Sequence, residues 1–471
     1  MKNTIKILMC AILAFAFMGC TKSGEENNGR LATPKFTINV EGNTLIVAWE
    51  EVSGAAYYEI GINPGSIHKT DKVIHKFEDL EFNTEYEVSL KAVATDESKS
   101  SKTATKKAST AEFQPLAYRE WYTQINVPAT AISNNARWVV GGNERNGFIL
   151  DLNKNKMVEI EGTEFYDVAD DGTAVGSNHV NNQDGDAIYY NNGQTFTIDL
   201  SGIAINPGMS CATGITPDGE YVVGWYWEYD ENGYYAKQYG MVVPFCYDIS
   251  KDRVTVPVVG ERVYNEAAAT AIKAVAPDRT LLGYEQSQGT HSIIWADEYT
   301  PFEYVYFDYD EQYNPVYSLG DIQNLFTQSG RYIYGKAVDY AAGQNSYAAA
   351  YDRETSTLYT LPGVSVTAMS DNGIAFINDV PYYLGTTSYV VDTTKGEPYD
   401  WVEFEDWVFD EHDINIASFE PTTDFIENDG LLMEGIIIVG VSEDCRTIVG
   451  MTNTDMGWMT FVVDLDGKKA E

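Results

Sequence analysis

The sequence predicts an all-β chain: a small N-terminal sandwich followed by seven short antiparallel sheets closed into a ring. Three observations carry this. One unit recurs seven times between Ala129 and Gly467: an apolar run, a polar turn, a second apolar run ending in Gly, then a third run. It reads clearly at Ala129–Gly141, Ile215–Gly224 and Val441–Gly450. Taking Ile132, Val168, Ile215, Val275, Phe326, Met369 and Val441 as equivalent, the spacings are 36, 47, 60, 51, 43 and 72 residues. Short strands repeating about every 40–50 residues mark a β-propeller. The third observation concerns the ends. The last unit shows three strands, while Arg119–Val127 is a strand-like segment with no partner of its own. If that segment supplies the missing fourth strand, the ring closes and leaves no free sheet edge.

Composition agrees. The chain has 471 residues, too many for one core, with 33 Tyr, 19 Phe and 39 Gly. Tyr, Thr and Val between Gly, Asn and Asp turns favour β structure. Hydrophobic residues make up 44%, which excludes disorder as the main state. The net charge of −39 excludes nucleic acid as a partner, since phosphate binding needs clustered Lys and Arg.

Residues 1–20 form a separate object. Lys2 and Lys6 precede an uncharged stretch from Ile7 to Met18, too short to span a bilayer and patterned as a secretory signal. Phe17-Met-Gly-Cys20 resembles the bacterial lipobox, in which the Cys is lipidated; Phe17 and Met18 depart from the usual Leu and small residue. That looseness is similar to lipoproteins of the Bacteroidota. The resemblance implies an acylated Cys20 as first residue and membrane attachment through that lipid. Thr21 after the Cys implies the outer membrane, and Ser23–Glu26 resembles an acidic surface-export signal. Loss of Lys2 and Lys6 takes the net charge from −39 to −41. Residues 21–32 are polar and read as a flexible tether.

Residues 33–112 alternate as a sandwich does, and specific segments resemble a fibronectin type III domain. Leu45–Glu50 is its second strand, with Trp49 facing inward, and Val52–Ile60 its turn and third strand. Leu80-Glu-Phe-Asn-Thr-Glu-Tyr86 matches the family's Leu-x-Pro-x-Thr-x-Tyr segment with Phe82 in place of Pro, and implies a tyrosine-corner role for Tyr86. No Arg-Gly-Asp tripeptide is present, so the domain reads as a spacer.

Residues 113–471 are assigned to the propeller. Each anchor ends a first strand, and Asp171-Gly172, Asp218-Gly219, Ser329-Gly330 and Asn372-Gly373 provide the positive φ of the following turn. Second strands are expected to end at Gly141, Gly176, Gly224, Gly283, Gly335 and Gly450, with Asn378 as the exception. The pattern resembles the extracellular (HAF-like) repeats of bacterial secreted propellers.

Chemistry is harder to find. There is no Gly-x-Ser-x-Gly, His-Glu-x-x-His, phosphate loop or dinucleotide fingerprint. His68, His75, His179, His291 and His412 are scattered, and no cofactor or metal is expected. Asp151–Asn155 has the oxygen spacing of a calcium loop, but Lys156 stands where Gly is needed, so it reads as a hairpin turn. Cys211 and Cys246 either pair in an oxidising compartment or stay as buried thiols. Carboxylate pairs for glycan hydrolysis remain open among 70 acids, although most Asp residues sit in turns.

The most distinctive local signal is Gly224–Tyr239, with seven aromatics in sixteen residues. In a propeller, the loop after a second strand shares a face with the loops entering first strands. Trp225, Trp227, Tyr229, Tyr234 and Tyr235 are therefore the candidate ligand-binding residues, flat rings suited to sugar faces or to protein contacts. The competing reading has them pairing across strands and covering a neighbouring blade. The acidic, aromatic insertion 399–434 is expected to fold over one face, with Trp401 and Trp407 as lid, anchor or packing residues. The preferred function is a non-catalytic surface lipoprotein whose propeller binds a glycan, the glycan coming from the resemblance. An outer-membrane protein partner is the alternative, and a carboxylate hydrolase or lyase the third reading.

Overall fold

A computed structural model describes residues 29–471 except 79, 112–115, 123–127, 144–145, 179–184, 205, 230–241, 260–268, 287–289, 310–314, 320–323, 340–344, 379–383, 387, 417–431, 455–456 and 469–471. Cys20 lies outside the described residues. The chain divides into two compact units, residues 1–112 and 113–471.

The first unit is a two-sheet sandwich. Strands Phe36–Glu41, Thr44–Trp49 and Ile74–Phe77 form one sheet; Ile67–Thr70, Tyr57–Asn63, Glu85–Val93 and Ala104–Ser109 form the other. Alternation puts Leu45, Val47 and Trp49 against Tyr58, Ile60, Tyr86, Val88 and Leu90 in one core. Trp49 and Tyr58 meet edge to face at 5.3 Å. The Tyr86 hydroxyl accepts the Glu81 N–H at 3.0 Å, the bond of a tyrosine corner.

The second unit is a seven-bladed β-propeller. Its first strands are Ala129–Ile132, Thr163–Val168, Pro207–Ile215, Thr270–Val275, Leu325–Phe326, Ser365–Met369 and Leu432–Val441. All seven end on the anchors read from the sequence. Each pairs with a second strand, and six blades draw third and fourth strands from the chain that follows. Blade 7 takes its fourth strand, Tyr118–Tyr122, from ahead of blade 1, paired antiparallel along Met459–Val463. The expected closure is what the ring uses. Arg119 of that strand also donates to the Leu152 carbonyl of blade 1 at 2.9 Å.

The second strands run past the motif glycines. Tyr221–Glu228, for example, continues four residues beyond Gly224. The glycine is required by proximity: a Cβ on Gly224 would run into the Cys211 carbonyl of the first strand and stand 2.8 Å from the Phe245 ring of the third. In blade 6 the equivalent position is Ile377, not Asn378, judged by its pairing with Val366 beside the bulge. Gly363, at φ 91°, makes room for the Ile377 side chain.

Gly172, Gly219, Gly330 and Gly373 take the positive φ expected of their turns; Ala136, Arg279 and Cys445 adopt it in blades 1, 4 and 7. Blades pack through alternate faces. In blade 3, Val222 and Tyr226 join a cluster with blade 2, while Tyr221 and Val223 join one with blade 4.

The insertion corrects the lid expectation over its described part. Trp401–Glu403 is blade 6's fourth strand, and the helix Phe404–His412 follows. Phe404, Trp407 and Val408 are buried with Phe376 of blade 6 and Ile436, Ile438 and Phe461 of blade 7. Trp407 packs; Trp401 is 43% exposed and lies against Tyr389. Residues 417–431 lie outside the described residues.

Candidate functional site

Several of the described acids in the ring have structural work. Asp151 accepts Arg137 through both oxygens, at 3.2 and 2.9 Å, and the N–H groups of Asn153 and Lys154. That is a capped hairpin turn, as read from the sequence. Asp352 binds Arg331 at 2.8 Å and the N–H of Glu354. Turns are also tied blade to blade. Asn135 donates its N–H to the Asp170 carboxylate at 2.7 Å, and Ser329 its N–H to that of Asp371 at 2.9 Å. An acidic cleft of about 840 Å³ on this turn face holds Asp371, Asp444, Asp464 and Asp466. Arg446 already bridges Asp444 and Asp466 there, at 3.2 and 2.7 Å.

The ring's axis is different. The first strands enclose a narrow channel of about 110 Å³, lined by Thr130, Tyr166, Asp167, Thr213, Lys273 and Gln328 among others. Six first strands carry a β-bulge opposite the second strand, with Thr130, Tyr166, Thr213, Lys273, Thr367 and Val439 as the extra residues. The residue after each bulge is Ala131, Asp167, Gly214, Ala274, Ala368 or Gly440. Neighbouring blades leave little room there: a Cβ on Gly440 would lie 2.8 Å from the Ile132 side chain. Asp167 is the one large, charged residue at a position otherwise Ala or Gly.

Its oxygens are claimed. One accepts the Val168 N–H and the other the Ile215 N–H of blade 3, both at 2.9 Å. Burial, outweighing these bonds, pushes the carboxyl up to about 6. A raised carboxyl favours the protonated folded state, so its stabilisation is complete below the unfolded value near 4 and fades as pH rises through 6. Two units correspond to roughly 3 kcal/mol. Asp167→Ala should therefore lose stability relative to wild type, and the deficit should widen by about 2 kcal/mol between pH 7.5 and 4.5. Urea unfolding of both proteins at the two pH values checks this; a pH-independent gap would contradict it.

Gln328 ties three blades together at the turn end of the channel. From blade 5 its amide donates to the Ile132 and Val441 carbonyls at 3.1 and 3.4 Å, and Asn134 of blade 1 donates to its backbone carbonyl at 2.8 Å. Towards the other end, Tyr166 interacts with Glu164 and Ser177; burial above all raises its phenol far beyond its ordinary value. Burial also lifts the Cys211 thiol to about 12. Cys211 and Cys246 are free and buried, so neither is in a disulfide.

Of the predicted aromatics, Trp225, Trp227 and Tyr229 lie towards that opposite end. Trp225 and Trp227 are half-buried between blades 3 and 4, packed with Tyr284 against Val242, Ala269 and Ala271. Tyr229 is half-buried, donates its N–H to the Asn206 carbonyl at 3.1 Å, and lies over Gly208. Tyr234 and Tyr235 lie outside the described residues. Sequence reading missed Tyr166, Asp167, Lys273 and Gln328. Aligning the seven units residue by residue marks the first three as departures from the Thr, Ala and Gly of their equivalents; nothing local marks Gln328.

No family model matches the chain. No curated protein matches it either. Among solved structures, FN3tt mut is similar at 31% identity over 17% of this chain and 98% of its own, with a TM-score of 0.16. The β-propeller domain of the Trilobed protease from Pyrococcus furiosus is similar at 11% identity over 72% of this chain and 94% of its own, TM-score 0.43. A putative TolB from Agrobacterium tumefaciens is 13% identical over 51% of this chain and 82% of its own, TM-score 0.36. These likenesses assign no ligand. By its own strand pairing, the chain is a fibronectin type III-like sandwich plus a seven-bladed β-propeller.

Proposed function

We propose that this protein is a non-catalytic binding module of the Bacteroidota lipoprotein type. In this reading a lipid on Cys20 holds it at the outer cell surface, the sandwich is a spacer, and the propeller captures a glycan at the end of the ring where the Trp225 strand leads. The supporting observation is the placement of Trp225 and Trp227. They share one face of one strand, stay partly exposed, and are held by Ala269 and Ala271 of the next blade. Rings fixed in this way stack on a sugar face at little entropic cost. On a glycan array, Trp225→Ala and Trp227→Ala should each weaken retention by about tenfold or more, a loss near 1.4 kcal/mol. Circular dichroism of each variant separates lost binding from lost fold. Wild-type retention of no glycan would sink the reading.

Two other readings have one observation each. Protein assembly draws on Trp401, Val402 and Phe409 of blade 6, which are 43, 40 and 55% exposed. A carboxylate-dependent hydrolase draws on the raised carboxyl of Asp167. Glycan cleavage abolished by Asp167→Asn would favour that reading over simple capture.

A further inference from the structure

Two imidazoles meet in the N-terminal sandwich at positions where the fold calls for core side chains. His68 sits on Ile67–Thr70, the edge strand of one sheet, and His75 on Ile74–Phe77, the edge strand of the other. Register sets the direction of both. His68 pairs with Ile60 and His75 with Val47, and directly opposed residues point to the same face of a sheet. Ile60 and Val47 are fully buried between the sheets, so both imidazoles turn inward too. Alternation sends their neighbours Lys69 and Lys76 to the outer faces, where Lys69 lies over the Tyr57 ring at 5.1 Å. One flank of the sandwich is thus closed by two histidines, one exposed and one half-buried, against the buried Phe77 ring.

The two histidine rings are 5.1 Å apart between centroids and tilted by 33°. A shared metal ion requires such a spacing. With metal–nitrogen bonds of roughly 2 Å, two imidazoles on a tetrahedral ion hold their centroids about 5.2 Å apart, and at the right angle of a tetragonal ion about 4.5 Å. The observed separation matches the tetrahedral case. Burial, and then the charge of His68, push His75 below its ordinary value. It is therefore neutral at physiological pH, ready to ligate without first losing a proton. Among the described residues it makes no hydrogen bond. His68 has one, its Nε2 lying 2.8 Å from the Ser66 hydroxyl. With Nε2–H donating there, Nδ1 is the bare nitrogen, and Ser66 is the outer contact that orients a metal-binding imidazole. Among the described residues no third His, Cys, Asp or Glu joins the pair, so water completes the coordination.

We propose that His68 and His75 bind one zinc ion across the open flank of the sandwich and so join its two sheets. The site is independent of ligand capture by the propeller, and it gives the N-terminal domain a role besides that of a spacer.

Calorimetric titration of the full chain with zinc chloride, in excess magnesium, tests this. Magnesium occupies surface carboxylates and does not compete for imidazole. Wild type should take up one zinc ion that is lost in His68→Gln and in His75→Gln, while His412→Gln should bind as wild type does. Ser66→Ala keeps both ligands and should weaken binding by about tenfold. Cobalt(II) is the second probe. Bound to wild type it should show the intense visible absorption of a four-coordinate ion, and that absorption should be absent from both glutamine variants. Zinc uptake unchanged in either variant overturns the site, as does a cobalt spectrum of the weak, six-coordinate kind. Equal weakening by His412→Gln would assign the uptake to scattered imidazoles and overturn it as well. Should the glutamine variants fail to fold, Ser66→Ala and the wild-type cobalt spectrum still decide the matter.

Discussion

Gly224→Ala is expected to destabilise the propeller by about 3 kcal/mol or more, at the upper end of what overpacking costs. The added methyl collides with the Cys211 carbonyl, which is fixed in the strand pairing and cannot rotate away. Its other neighbour, the Phe245 ring at 2.8 Å, is fully buried between blades 2 and 3. Relief would require the first strand to move inward against the channel. Gly202→Ala is the control, because its nearest neighbour would be the Val254 side chain at 4.0 Å; it should change stability by less than about 0.5 kcal/mol. Thermal unfolding of the two variants side by side reads the difference, and equal effects would show that the close approach does not matter.

The second large effect concerns closure. A chain beginning at residue 123 should unfold well below the temperature of one beginning at residue 113, and should self-associate on size-exclusion chromatography. Removing Tyr118–Tyr122 frees the backbone edge of Met459–Val463, whose side chains Met459, Phe461, Val462 and Val463 are buried. An unpaired, apolar edge strand is a template for pairing with another chain. The deletion also removes Arg119, which joins blade 7 to the Leu152 carbonyl of blade 1, and Tyr118, which packs on the blade 6–7 cluster. A monomer with unchanged melting temperature would show that the ring does not depend on this strand.

Much of the architecture was legible in the linear pattern, and particular residues show why. Strand ends such as Ile132 and Val441 are set by a local contrast, an apolar run meeting a polar turn. Trp49 and Tyr86 stood in recognisable segments because sandwich alternation is local too. The turn conformations at Ala136, Arg279 and Cys445 were not legible, since no side chain there advertises a positive φ. The fate of Trp225 and Trp227 was open for a different reason: alternation says which way they point, but not that Ala269 and Ala271 await them some 45 residues later. Trp407, in an acidic segment that read as a lid, is buried because blades 6 and 7 leave a space for it.

The number of blades, the place of each first strand and the segment that seals the ring follow from short-range periodicity and turn chemistry, and so are readable along the chain. That Tyr166, Asp167, Lys273 and Gln328 share one channel emerges only on folding. These residues span blades 2 to 5, and Gln328 reaches Ile132 across 196 positions of sequence. A channel on the axis is made by contacts between units, and the pattern inside a single unit carries no information about what faces it across the ring.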